Sequence, residues 1–385
     1  MTKLLAAPNA FKGSLSPFAA AAAIAVGARR AVPAIEVVEL GIADGGDGTA
    51  EVLCRARGGC FREAPASDAL GRTITARYGV LEDGTALVDV ASASGLARLG
   101  PSERDALVAT SYGTGELLSA ALAAGAERIV LGVGGSASVD GGAGLLRALG
   151  VRFLDRDGRE LGRGGAELAR LERIDDSGLS ERARRVPIEL ACDVDSPLLG
   201  EHGAAQLFGP QKGASPAAVA QLEASLAHFA AVIARAAGAD VTRLAGGGAA
   251  GGLAAGLHGV LGARLSPGIE LVLDIVGFDR ALRGAQLCIT GEGRLDRQSL
   301  RNKGPLGVAR RAAAQGVAVV ALVGQVSADV TAGDFPELTC ISAICSDTIA
   351  LETAIGEAQP LLEAAAERAV RACFNPDGTP RAPSE

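Results

Sequence analysis

The sequence predicts an α/β protein of two domains, one assembled from both ends of the chain and the other inserted between them. Three observations carry this. Short apolar runs alternate with glycine loops and helical patterns at the start of the chain, the rhythm of parallel βαβ units. The same rhythm returns from residue 285. Between these stretches, Asp83-Gly84 joins two apolar runs, and such a pair makes a hairpin rather than a crossover. The expected architecture is a Rossmann/flavodoxin-like parallel-sheet domain over 1–62 and 283–375, a mixed α/β domain over 63–282, and a disordered tail over 376–385.

Each element has a local reason. Residues 3–7 form a short apolar strand, and 17–30 form a helix with Ser16 as N-cap and Pro17 in the first turn. A strand at 36–40 leads through the loop 41–48 into a helix at 49–57. Strands at 73–81 and 85–90 flank the hairpin, followed by a helix at 113–124, a strand at 128–133 and a helix at 143–149. Residues 150–185 are charged and read as irregular. A strand at 187–192, a long helix at 215–237 and a helix after the Gly/Ala run 245–252 complete the insertion. Strands at 286–290, 317–323 and 339–344 and helices at 305–315 and 351–373 then restore the α/β pattern. The Pro-rich ending NPDGTPRAPSE predicts disorder.

Composition narrows the function. A net charge of −7 and 3% aromatic residues, with no tryptophan, argue against nucleic-acid binding. No long apolar segment opens the chain, and the run 317–323 is too short to cross a bilayer, so no membrane partner is expected. Seven scattered cysteines without a CxxC pair predict reduced thiols and a cytoplasmic protein. The three histidines stand apart from other ligating residues, which disfavours a histidine zinc site or a Ser-His-Asp hydrolase.

The positive charges are almost all arginine. Only four lysines occur, and three of them, Lys12, Lys212 and Lys303, stand directly before glycine. A compact ammonium where backbone can approach closely suits a phosphate. Asp44-Gly-Gly-Asp47-Gly follows a strand and opens a helix, so its N–H groups and the helix dipole favour an anion. The carboxylates of Asp44 and Asp47 suit Mg²⁺, which takes carboxylates together with substrate phosphates, although a capped turn explains the same residues.

Residues 132–144 pack six glycines, two serines and Asp140 into one loop, more flexibility than a turn needs, at a cost of about 0.5–1 kcal/mol per glycine relative to alanine. The loop reads as a phosphate cradle through Gly134, Gly135, Ser136 and Ser138. It is not a Walker A loop, because no Gly-Lys-Ser/Thr follows. Asp193 ends an expected strand, at the sheet edge where α/β proteins bind ligands, and suits a base, a metal ligand or a cap. Gly246 to Gly251 matches GxGxxG without a preceding strand or acidic partner, so helix packing explains it as well. The stretch 290–299 offers Arg294, whose fork grips carboxylate or phosphate, and Asp296 for a proton or a metal. Hydroxyl-rich loops at 91–95, including Ser94, and at 110–116 suit a small polyhydroxy substrate. This inventory fits phosphoryl transfer, where a protein positions reactants and neutralises charge.

The ordered segments AAPNAFKGSLS, IADGGDGTAE, ASASGL, TSYGTGEL, GVGGSASVDGGAG, ACDVDSPL, FGPQKGA, GGGAAGGLAAGL and ITGEGRLDRQS…NKGPLGVA resemble the bacterial glycerate kinase family, the type without a P-loop, over residues 3–370. The resemblance implies phosphorylation of D-glycerate by ATP and Mg²⁺, usually to 2-phosphoglycerate, in a cleft between two domains. On that footing Lys12 and Lys212 neutralise phosphate or carboxylate charge, and Gly134, Gly135, Ser136, Ser138 and Lys303 hold phosphate. Asp193 is the expected general base, with Asp296 second. Arg294, Ser14 and Ser94 bind the hydroxy acid, and Asp44 and Asp47 hold Mg²⁺. A homodimer is the default assembly. Asn9 and Ala10 stand where the family usually has Asp and Ser, and Val139 and Ser196 where it has Asn. These departures keep two alternatives open: a kinase of a related sugar or hydroxy acid, or a silent ligand-binding relative.

Overall fold

The computed structural model describes residues 2–297, 299–300, 304–345 and 351–381. In chain order the strands are β1 (Lys3–Ala6), β2 (Glu36–Glu39), β3 (Cys60–Ser67), β4 (Thr73–Val80), β5 (Thr85–Asp89), β6 (Arg128–Gly132) and β7 (Arg152–Leu154). There follow β8 (Arg173–Asp175), β9 (Ile188–Ala191), β10 (Arg264–Ser266), β11 (Leu287–Leu295), β12 (Ala318–Val326) and β13 (Cys340–Ala343). The chain forms two compact units, residues 1–44 with 269–385 (unit 1) and residues 45–268 (unit 2).

Unit 1 holds a five-stranded sheet in the order β13-β12-β11-β1-β2, with every pair parallel. Its first helix, Pro17–Ala31, starts where the sequence places it: Ser16 Oγ accepts from the Ala19 amide at 3.2 Å, and Pro17 fills the first turn. The alanine face of this helix packs on the helix Ala358–Cys373. The backbones come so close that a Cβ on Gly27 would sit 2.1 Å from the Glu363 carbonyl oxygen.

Unit 2 is built on a six-stranded sheet in the order β10-β9-β6-β5-β4-β3. Its first four strands run parallel; β4 and β3 run antiparallel beyond the Asp83-Gly84 hairpin. The helix Pro216–Ala237 is long and apolar enough to cross a membrane by length and composition, but half of its apolar stretch is buried. Leu222, Leu226, Phe229 and Ile233 on it lie in the core of unit 2.

Several elements differ from expectation for physical reasons. β3 carries Pro65, which cannot donate to a ladder, yet it tolerates the proline because it is an edge strand paired only with β4. The stretch 150–185 contains the β7–β8 hairpin and a helix at Glu181–Arg185. β11 continues to Leu295, paired with β12, so Glu292 and Arg294 lie on a strand and not in a loop. The expected helix 351–373 divides after Gly356, four residues before Pro360, whose ring would meet that carbonyl. Residues 376–381, expected to be disordered, close a turn in which the Asn375 amide donates to Thr379 O at 2.9 Å and Thr2 Oγ1 donates to Gly378 O at 2.6 Å.

Gly27→Val is expected to cost unit 1 about 1–3 kcal/mol by overpacking the helix crossing. Melting monitored by circular dichroism checks this, and an unchanged midpoint would show that the two helices separate freely.

Candidate active site

Numbered within unit 1, the sheet order is 2-1-3-4-5, the flavodoxin-like topology, and the winding reverses between β1 and β11. Ligands bind at the carboxyl ends of strands at such a reversal. A cavity of about 1080 Å³ opens there, lined by the turn after β1, by Asp44, by the far ends of β11, β12 and β13, and by Ala354, Ile355 and Ala358.

The turn after β1 is closed by paired backbone bonds between Phe11 and Leu15, and it presents Lys12 exposed at its tip. Ser14 Oγ donates to Phe11 O at 3.0 Å, so its proton serves the turn. The Asn9 side-chain Nδ2 donates to Asp44 Oδ2 at 3.3 Å, and Asn9 Oδ1 accepts from the Ala10 backbone amide at 2.7 Å. Asn9, one of the departures, thus supplies a donor that an ionised aspartate would lack. Arg294 Nη2 donates to Ser327 Oγ at 3.2 Å. The nearly buried Ser299 donates its hydroxyl to Glu292 Oε1 at 2.7 Å and its amide to Asp296 Oδ1 at 3.3 Å.

Unit 2 gathers its groups at the carboxyl ends of β5, β6 and β9. Asp89 is buried at the end of β5 and accepts from the Gly48 and Ala50 amides at 3.1 Å each, which caps the helix Thr49–Ala56 from a distance in sequence. Burial pushes its carboxyl up to about 7, opposed by the Ala50 hydrogen bond and reinforced by the Asp47 charge. Asp140 is 1% exposed and ties its own loop to residues 110–111. It accepts from the Ser111 amide at 2.8 Å, Ser111 Oγ at 2.9 Å, Thr110 Oγ1 at 3.2 Å and the amides of Gly142 and Gly144 at 3.1 and 3.2 Å. Lys212, 3% exposed, donates to Ser136 Oγ at 2.8 Å and to Ser138 O at 2.7 Å. Burial draws its ammonium down to about 7, against the pull of Asp140.

The expected site residues therefore separate into groups. Lys12, Ser14, Asp44, Arg294 and Asp296 share the cavity of unit 1. In unit 2, Asp47 and Gly135 are exposed neighbours, with Gly135 4 Å or less from Asp47 if given a Cβ (3.7 Å), and Gly134 is half-buried beside them. Asp193 is half-buried just past the end of β9. Ser94 is fully buried and accepts from Thr114 Oγ1 at 2.9 Å. Ser136 and Ser138 are likewise buried, and Lys212 acts on their loop rather than on an exposed phosphate. Lys303 lies outside the described residues. Glu292, Asp89 and the organising role of Asp140 were not anticipated. A lone acidic residue at the end of an apolar strand was the available signal for Asp89.

For Mg²⁺ the donor set is apt. The cavity of unit 1 carries Asp44, Glu292 and Asp296, hard oxygen donors of the kind this ion takes. Among the described residues no three metal-ligating side chains form a tight group.

Residues 4–374 match the model of the glycerate kinase family. The chain is 42% identical to the glycerate kinase of Bacillus subtilis, over 94% of this chain and 95% of that one. It is 44% identical to the glycerate 2-kinase of Escherichia coli, over 85% and 86%. A crystal structure of a candidate glycerate kinase 2 from Salmonella typhimurium superimposes with a TM-score of 0.85 at 40% identity, covering 96% of this chain and 97% of that one. The fold and the comparisons define an α/β enzyme, with a cavity at the strand-edge reversal of unit 1. The chain belongs to the glycerate kinase family.

The two shifted groups give a pH signature. The Asp89 carboxyl, raised to about 7 when folded, binds a proton between pH 4 and 7 that the unfolded chain has released, so its contribution to stability falls as pH rises through that window. The Lys212 ammonium, lowered to about 7, is deprotonated in the folded chain above that pH while the unfolded chain keeps its proton, so stability rises from pH 7 toward 10. Asp89→Asn is expected to remove the acid-side fall, its melting point gaining several degrees on the wild type between pH 4.5 and 7. A constant difference across that range would mean that Asp89 is ionised throughout.

Proposed function

We propose that this protein transfers the γ-phosphoryl group of ATP to D-glycerate, giving 2-phosphoglycerate, with Mg²⁺ as the cofactor. The observation that carries the reading is the company of Lys12, Arg294 and the carboxylates of Asp44 and Asp296 in one cavity at the strand-edge reversal of a glycerate kinase family member.

Lys12, an exposed ammonium at the tip of a hydrogen-bonded turn, neutralises charge on the transferring phosphoryl group. Arg294 presents a planar fork suited to phosphate or to the carboxylate of the acid. Asp44 holds Mg²⁺, with Glu292 or Asp296 as its partner; the ion, when bound, screens the charge of the ATP phosphates. Asp193 accepts the proton of the glycerate hydroxyl as it attacks phosphorus. Lys212 and Asp140 position the loop 132–144 by their buried hydrogen bonds, and Gly134 and Gly135 form its accessible part.

Release of ADP from Mg-ATP and D-glycerate by the purified protein tests the reading, against L-glycerate and four-carbon sugar acids as alternatives. Asp193→Asn is expected to lower kcat about 10²–10⁴-fold, the usual worth of general acid–base catalysis, with KM changed only a few-fold. Near-normal turnover in that variant would remove Asp193 as the base, and turnover confined to a four-carbon acid would replace D-glycerate as the substrate.

A further inference from the structure

The cavity of unit 1 is far larger than a three-carbon acid needs, and its wall changes character from one side to the other. At about 1080 Å³ it slightly exceeds the roughly 300–1,000 Å³ typical of small-molecule sites. The β1 and β11 side contributes Lys12, Ser14, Asp44, Arg294 and Asp296. The β12 and β13 side contributes Val326, Ala343, Ile344 and Cys345 with one polar side chain, Gln325, and the helix Leu351–Gly356 adds Ala354 and Ile355. Because the sheet order is β13-β12-β11-β1, these two sides are separated by up to three strand spacings of about 4.8 Å each, roughly 14 Å.

A ligand for such a cavity is charged at one end and flat and apolar at the other. D-glycerate, three carbons long with oxygen on each, leaves the aliphatic side in contact with water. A purine nucleotide satisfies both sides. Ile355 is a large apolar side chain, yet it is 40% exposed. A purine base laid over it and Val326 would remove apolar surface from water on both partners.

We infer that this cavity is the nucleotide subsite, with the adenine of ATP against Val326, Ala343, Ile344 and Ile355 and its phosphates toward Lys12 and Arg294. The inference rests on the kinase reading above for the identity of the nucleotide. It makes Ile355 and Ala343 specificity-determining residues that touch the base and take no part in the chemistry.

The test uses Ile355→Asp and Ala343→Phe. Both positions are exposed, so both variants are expected to fold, and Ala343→Phe adds bulk without charge. Each is expected to raise KM for ATP at least tenfold while KM for D-glycerate stays within twofold. Competition by adenosine should weaken in parallel, and competition by inorganic triphosphate, which has no base, should not. If KM for D-glycerate rises and KM for ATP does not, the cavity holds the acid and the inference is overturned. If D-glycerate is turned over and neither variant moves either constant, the inference falls while the kinase reading stands. If no acid supports turnover, calorimetric titration with ATP decides. Binding weakened tenfold by both variants upholds the subsite without the glycerate reading, and binding that is unchanged or absent overturns it.

Discussion

In unit 2 two loops touch backbone to backbone at the carboxyl ends of parallel strands. The Gly134 amide donates to Gly45 O at 3.3 Å, and a Cβ on Gly134 would stand 2.5 Å from the Gly46 Cα. No side chain fits between the loop 45–48 and the loop 132–144. Much else depends on that contact: where Asp47 stands relative to Gly135, how Asp89 reaches the Gly48 and Ala50 amides, and which part of the glycine-rich loop meets solvent. The glycines that read as a phosphate cradle are first a packing solution. What they leave accessible, Gly134 and Gly135, is a smaller part of the loop than the sequence suggests.

Buried charge does the remaining ordering. Asp140 accepts five hydrogen bonds from two segments, residues 110–111 and its own loop, and Lys212 gives two to the loop 132–144. A charged group nearly excluded from water is costly unless its partners are in place, so these contacts admit few alternative loop conformations. Catalysis by phosphoryl transfer asks for that kind of rigidity, because its protein contribution is positioning and charge neutralisation. Unit 1 solves a different problem. There the polar groups face a large cavity, and Lys12 is exposed on a short turn rather than locked in the core.

Local patterns in the sequence were sufficient for most elements, because their causes are local. Ser16-Pro17 and Ser215-Pro216 cap and start helices, and Asp83-Gly84 turns a hairpin. What local pattern missed was decided by neighbours distant in the chain. β3 survives Pro65 only because nothing pairs with its outer edge, and β11 runs on to Leu295 only because β12 extends beside it. The same divide runs through the site. Lys12, Asp44, Arg294 and Asp296 were legible as polar residues in glycine-bearing loops, and they do share one cavity. Ser94 and Lys212 carry the same residue-level signal, yet their exposure is set by packing that no short motif encodes. The aliphatic wall of Val326, Ala343 and Ile355 gave no signal at all, since such residues are unremarkable until a cavity is seen beside them.

The reading of this fold as a glycerate 2-kinase bears most directly on which oxygen receives the phosphoryl group. Phosphorus-31 and carbon-13 spectra of the product formed from D-glycerate and Mg-ATP would locate it. The account predicts a proton-coupled phosphorus signal split into a doublet by the single methine proton, the signature of 2-phosphoglycerate. Splitting by the two methylene protons, from phosphate on the terminal oxygen, would contradict it.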